Sequence, residues 1–319
     1  MPQSKKDKII EVKNLTKKYG DLVAVDDISF YVEKGKILGL LGENGAGKTT
    51  TLEMIEGLRK PTSGKIKIFG KDSRSNLNSI KEKIGIQLQS TSYFKYLTLI
   101  EILDLFGSFY KKAVEPMELL KLVDLKDKAH SYVGKLSGGQ KQRFSIVASL
   151  VNDPELIFLD EPTTGLDPLA RRRLWELVQK IHSQGKTIIL TTHYMEEAES
   201  LCDRIAIMDQ GKILMIGETN QLLERTSFPF RINFIVGKKR LSGEQKLIIA
   251  KIEKFGELSN VSDEIQSYEL CLDNKKGLRI ALQTVQKLNP ESFTVSKARL
   301  EDLFIELTGK KIEQGANYA

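Results

Sequence analysis

Apolar and polar positions along the chain fall into two regimes. Over the first two thirds, short β-rich runs alternate with helical patterns, which predicts a parallel or mixed sheet covered by helices. Strands are expected at 9–12, 28–32, 36–41, 65–69, 84–88, 156–159 and 187–191. Three of these runs, ILGLL, LIFL and TIIL, are continuously apolar rather than alternating. A strand buried on both faces reads that way. From 98 to 151 the pattern turns helical, and Thr98 with Glu101 has the spacing of a capping box that starts a helix through ILDLFGSFY. The stretch DRIAIMDQGKILMIG, ending at Gly217, reads as a hairpin turning between Asp209 and Gly211.

Beyond about residue 223 the texture changes. FPFRINFIV alternates with period two, and a helical stretch (244–255), two short strands around Val261 and Leu270, a helix (276–288) and a strand (293–296) follow. The order β-α-β-β-α-β is that of a ferredoxin-like unit. A last amphipathic helix, ARLEDLFIELTGK, carries Leu300, Leu303, Phe304 and Leu307 at helical spacing. The expected division is 1–222, 223–309 and a frayed tail at 310–319.

Composition narrows the class. The 319 residues are 40% apolar and 29% charged, which supports a sizeable core and argues against disorder. No apolar run approaches the roughly 18–20 residues that cross a bilayer, and the start MPQSKKDKIIEVKNL lacks the pattern of a secretory signal. Two cysteines, Cys202 and Cys271, stand far apart and outside any CxxC, so neither a disulfide framework nor a zinc cluster is expected and a reducing compartment fits. The net charge of +7 is a mild excess. Its basic clusters are short, scattered and not interleaved with aromatics, so no nucleic-acid partner is expected. A weak attraction to an anionic membrane face is compatible with it.

Candidate chemistry begins at GENGAGKT, Gly42 to Thr49, placed after the strand ILGLL and before the helical TTLEMIEGL. It satisfies GxxxxGK[ST] in the strand–loop–helix context that a phosphate loop requires. Backbone N–H groups can curl around an oxyanion there, and the helix N-terminus adds its dipole. Lys48 would reach the β- and γ-phosphates and Thr49 would offer its hydroxyl to Mg²⁺. LIFLDEP supplies the acidic side: a buried strand, Asp160 at its end to hold Mg²⁺ directly or through water, and Glu161 to polarise the attacking water as general base. LSGGQ, Leu136 to Gln140, opens a Ser-capped helix. Gln89 follows a strand, TTGLD (Thr163 to Asp167) follows the carboxylates, and His193 ends TIILTTH. His130 and His182 read as surface residues, Trp175 and Leu177 as packing on the helix after TTGLD, and Cys202 as core.

Taken in this order and approximate spacing, these motifs resemble the ATP-binding subunits of ABC transporters from Ile9 to about Leu222. The resemblance implies an α/β P-loop NTPase of ABC type, with a RecA-like core, an antiparallel β subdomain and a helical subdomain at about 90–151, plus a small α+β C-terminal domain. It further implies an ATPase acting as a head-to-tail dimer of two copies. Each ATP would lie between one copy's Gly42, Asn44, Gly45, Ala46, Gly47, Lys48, Thr49 and Thr50 and the other's Ser137, Gly138, Gly139 and Gln140. By the same resemblance Tyr19 stacks on adenine, with a strand-end aromatic as the lesser alternative. Gln89 senses Mg²⁺ or the lytic water and links the site to a membrane partner. Asp167 communicates across the dimer, and His193 contacts the γ-phosphate and orients the water of Glu161.

Within the family, the interval from Lys48 to Ser137 leaves no room for the coiled coil of chromosome-maintenance ATPases. One phosphate loop and one LSGGQ exclude a tandem translation factor, and the absence of zinc-type cysteines excludes the excision-repair branch. The stretch from LVNDPELIFLDEPTTGLDPLARRRLWELV to THYMEEAESLCDRIAIMDQGKIL, with LEDLFIELTGK near the end, is similar to ABC-2 type exporters. That implies a separate ABC-2 type permease as partner and a cytoplasmic place at the inner face of the cell membrane. An importer subunit, or a soluble regulatory ATPase acting on nucleic acid or ribosomes, is the alternative.

Overall fold

The computed structural model describes residues 7–87, 93–237, 241–262 and 264–309. The chain divides into two compact units that meet between Thr219 and Asn220.

The first unit opens with two long antiparallel strands, β1 (Lys8–Tyr19) and β2 (Leu22–Glu33), followed by the buried β3 (Ile37–Leu41) and helix α1 (Lys48–Glu56). Next come β4 (Ser63–Ile68), β5 (Lys71–Asp72), α2 (Leu77–Lys81) and β6 (Ile84–Gln87). A helical stretch follows, with α3 (Leu99–Gly107), α4 (Pro116–Leu122) and α5 (Gly138–Ala148). The chain then returns through β7 (Leu156–Asp160), α6 (Pro168–His182), β8 (Thr187–Thr192), α7 (Met195–Leu201), β9 (Arg204–Asp209) and β10 (Lys212–Gly217).

Six of these strands form one sheet in the order β10-β9-β3-β8-β7-β6, and four form a second in the order β2-β1-β4-β5. The first is parallel from β9 to β6, with β10 turned back antiparallel at its edge. Every residue of β3, β7 and β8 is buried, as unbroken apolar runs in a helix-covered sheet require. The four-stranded sheet is antiparallel and shares its core with the larger one, Ile10, Val12 and Ile66 packing in the same cluster as Leu40, Leu156 and Phe158. Helix α3 starts where the capping box predicts, with the Thr98 side chain accepting from the Glu101 N–H and the Glu101 carboxylate accepting from the Thr98 N–H.

Helix α8 (Thr219–Leu223) leads into the second unit, which runs β11 (Phe230–Ile235), α9 (Gly243–Ile252), β12 (Glu257–Ser262), β13 (Ser267–Leu272), α10 (Lys275–Gln286), β14 (Ser292–Lys297) and α11 (Leu300–Thr308). Its sheet has the order β12-β13-β11-β14, antiparallel throughout. Ile249 and Ile252 of α9 and Ala281 and Val285 of α10 close one core with Ile232, Phe234, Leu270 and Leu272 of that sheet.

One carboxyl in the first unit's core has no obvious structural reason. Glu56 ends α1 at 2% exposure and its Oε1 has no hydrogen-bond partner. Burial first, then the charges of Asp160 and Glu53, push it up to about 8 from an ordinary value of 4.5. Between those two values the folded chain holds a proton that the unfolded chain has released, so stability falls as pH rises through that window. Glu56→Gln should therefore stabilise the protein by on the order of a few kcal/mol at pH 8 and by much less at pH 5, read from urea denaturation at the two values.

Candidate active site

The loop between β3 and α1 depends on two close approaches. Gly47 takes φ +97 and caps α1, and a Cβ there would lie 2.5 Å from the Ala24 carbonyl oxygen. A side chain at Gly42 would collide with the Met208 carbonyl. With glycine as cap, no side chain satisfies the first N–H groups of α1, which leaves them for an anion. Asn44 and Gly45 are exposed at the rim, Ala46 is buried, and Thr49 and Thr50 are half-buried.

Lys48 folds back over this loop. Its Nζ donates to the carbonyls of Gly42 and Glu43 at 2.9 Å each and stands 3.4 Å from Glu161 Oε1. Burial lowers its pKa, against the pull of Glu161 and Asp160.

One hydroxyl links Asp160 and Glu161 at the end of β7: it meets the carboxylate of the first and the backbone of the second. Thr191 lies opposite Asp160 in the parallel register of β7 and β8, donates to Asp160 Oδ1, and accepts from the Glu161 N–H at 2.9 Å. Glu161 adopts φ +46, a left-handed conformation costly for a side-chain-bearing residue and typical of functional sites. Thr49 Oγ1 donates to the same Asp160 oxygen at 3.1 Å. Burial raises the Asp160 pKa while the two hydroxyls oppose the rise. Glu161 moves the other way. His193 Nδ1 stands 3.3 Å from its Oε2, at ion-pair distance without a completed hydrogen bond, and Thr164 Oγ1 donates to the same oxygen at 3.0 Å. The His193 contact first, then the Lys48 charge and the Thr164 hydroxyl, hold the carboxyl down to about 2 against its burial. Glu161 is thus a buried but ionised base beside an ammonium group and an imidazole.

The structure therefore gathers Lys48, Thr49, Asp160, Glu161 and His193 into one cluster. Ser137 caps α5 in a reciprocal box with Gln140, whose Oε1 also accepts from Lys128 Nζ at 3.1 Å. Ser137 and Gly138 are exposed, and Gly139 and Gln140 are half-buried. Asp167 has a local task, since its carboxylate caps α6 by accepting from the Ala170 N–H at 2.9 Å. Tyr19 ends β1 with 40% exposure, flanked by Lys17 and Arg59 over its ring. Its hairpin places Val23 and Val25 opposite Lys18 and Lys17, next to the Ala24 carbonyl that Gly47 approaches. Gln89 lies outside the described residues. His182 is half-buried rather than a surface residue, with Nε2 2.9 Å from the Gly35 carbonyl. Trp175 does more than pack, as its Nε1 donates to Glu197 Oε1 at 3.1 Å.

Residues 25–164 match the family model for "ABC transporter". The chain is 35% identical to the Nod factor export ATP-binding protein I of Burkholderia lata, over 95% of its length and 98% of that protein. It is also 35% identical to the protein of the same name from Sinorhizobium fredii, over 98% and 90%. The chain belongs to the ATP-binding subunits of ABC transporters. Among solved structures, an ATP-binding subunit of an ABC transporter is 32% identical with a TM-score of 0.61, covering 67% of this chain and 91% of that one. A dimeric ATP-binding cassette in a post-hydrolysis state, bound to ADP and Pi, is 28% identical with a TM-score of 0.59, over 66% and 98%. The protein is an ATPase, and the fold is the P-loop cassette.

Two site residues of this cassette were not legible as such. Thr164 and Thr191 make hydroxyl contacts to the Glu161 and Asp160 carboxylates, and nothing in TIILTT sets Thr191 apart from the other two threonines of that strand. Thr191→Val preserves shape but leaves the Glu161 N–H and one Asp160 lone pair without a partner. It should cost about 2–4 kcal/mol in urea unfolding, more than a comparable change at an exposed threonine.

Proposed function

We propose that two copies of this ATP-binding subunit enclose two ATP molecules and hydrolyse them to drive export through a separate membrane permease of ABC-2 type. The observation that carries the reading is the ionised Glu161, 3.4 Å from Lys48 and 3.3 Å from His193 at the mouth of the phosphate loop. The curated relatives are named for export and match 95% and 98% of this chain, whereas the cassette structure covers 67% of it.

The backbone from Gly42 to Thr50 would receive the phosphates, with Asn44, Gly45, Ala46 and Gly47 turning their N–H groups inward and Tyr19 stacking on the adenine. Thr49 and Asp160 present a hydroxyl and a carboxylate 3.1 Å apart, the hard oxygen donors that suit Mg²⁺, and Gln89 would complete the set. Bound there, Mg²⁺ would offset the charge of the phosphates. Lys48 now neutralises Glu161; drawn onto the β- and γ-phosphates, it would leave that carboxylate a stronger base toward the attacking water. Glu161 takes the proton as the water oxygen bonds to the γ-phosphorus, while His193 keeps the carboxylate and water aligned. ADP departs with the bridging oxygen, and inorganic phosphate is released.

The dimer reading follows from the exposed start of α5. A Ser-capped helix end, with the positive pole of its dipole facing outward, suits a terminal phosphate held by a second copy. Asp167, exposed at the start of α6, would meet the partner across that interface. Among the described residues no helix is long and apolar enough to cross a membrane, so transport needs a separate membrane-spanning partner, which would hold this chain at the cytoplasmic face.

Glu161→Gln should bind ATP as the parent does, lose hydrolysis by about a hundredfold or more, and elute as a dimer in size-exclusion chromatography with ATP and Mg²⁺. Lys48→Ala should lose nucleotide binding or turnover. A Glu161→Gln protein that stays monomeric with ATP, both alone and with its permease, would contradict the sandwich.

A further inference from the structure

Helix α6 touches both neighbours of the reaction centre. At its start, Ala170 packs against the Ser-capped turn of α5, its Cβ lying 3.3 Å from where a Cβ of Gly139 would be. One residue on, the Arg171 guanidinium covers the Tyr194 ring at 3.8 Å, and that ring lies 4.1 Å from the ring of His193. One turn further, Trp175 Nε1 donates to Glu197 on α7.

Glu197 is fully buried. Burial raises its pKa, while Thr192 and Thr163, then Trp175 and the Arg171 charge, favour the ionised form. Its Oε2, Thr163 Oγ1 and Arg171 Nε are all buried without a completed hydrogen bond. Thr163 follows Glu161 by two positions and Thr192 precedes His193 by one. Such a carboxylate is costly where packing alone is needed, since an apolar side chain would fill the space without desolvating a charge. The Trp175 hydrogen bond to Glu197 and the Arg171 guanidinium over Tyr194, whose ring adjoins His193, instead join the segment that carries His193 to one face of α6.

We propose that Glu197, with Arg171 and Tyr194, is a positioning group that sets His193 against Glu161 according to where α6 stands. This rests on the sandwich reading above, and it gives α6 a second consequence. The turn at Gly139 closes on the partner's ATP while His193 attends the chain's own. A shift of α6 at one nucleotide is then felt at the other.

Trp175 is the single tryptophan of the chain, so its emission reports directly on the contact with Glu197. The test uses the full chain and three variants: Glu197→Gln, Tyr194→Ala and Tyr194→Phe. Glu197→Gln keeps an acceptor for Trp175 but removes the charge near Arg171, and Tyr194→Phe keeps the ring under the guanidinium. All three should bind a fluorescent ATP analogue and melt as the parent does. Glu197→Gln and Tyr194→Ala should lower kcat about tenfold at unchanged KM and reduce the Hill coefficient for ATP, whereas Tyr194→Phe hydrolyses normally. In a Glu161→Gln background, MgATP should shift Trp175 emission, and adding Glu197→Gln should abolish the shift. The proposal is overturned if Glu197→Gln and Tyr194→Ala hydrolyse within twofold of the parent, if their losses merely follow melting temperature, or if Trp175 emission ignores MgATP. A parent that binds but never hydrolyses ATP would sink the functional reading instead, leaving the emission experiment to decide this one.

Discussion

A single hydroxyl, that of Thr191, ties the buried Asp160 carboxylate to the backbone of Glu161. Donating to Asp160 and accepting from the Glu161 backbone, it holds one carboxylate facing the Thr49 hydroxyl, and the next residue stands in a left-handed conformation. Because of that turn, consecutive residues of one strand end point to different tasks. A regular strand continuing past Asp160 would send the two side chains to opposite faces of the sheet. The strained backbone, tolerable because β7 and β8 are buried along their whole length, brings both to the same edge.

Opposite pKa movements then separate the two acids. Asp160 is raised by burial against the Thr191 and Thr49 hydroxyls and the Lys48 charge, and Glu161 is lowered because a histidine, a lysine and a threonine converge on it. Two neighbouring carboxyls pushed apart in this way fit the proposed division of labour between holding a cation and moving a proton.

Much of this was legible in the chain. Continuous apolar runs announced the buried strands, the Thr98–Glu101 spacing announced a helix start that forms as written, and the hairpin at Asp209 to Gly211 appears where its turn residues stand. The phosphate loop and acidic strand were visible because their chemistry requires adjacent residues in fixed order. What escaped was assembled across long sequence distances by side chains of ordinary type. Thr191 reaches Asp160 through strand register, His182 reaches Gly35 through helix packing, and Trp175 finds Glu197 only once α6 and α7 lie together. No local periodicity encodes such meetings. Glu56 escaped for a different reason: at its place in α1 a glutamate looks like any solvated helical residue until the core closes over it.

The tight approaches of Gly42 and Gly47 carry a consequence for how the protein matures. One meets the carbonyl of Met208, near the end of the first unit, and the other the carbonyl of Ala24, near its beginning. The nucleotide cradle is therefore clamped by chain contributed from both extremes of that unit and acquires its shape only after distant segments have come together. Affinity for nucleotide would arise late in folding rather than with the loop itself. A nascent or truncated chain displaying the full glycine-rich motif would accordingly be unable to capture ATP until the rest of the unit had emerged and docked.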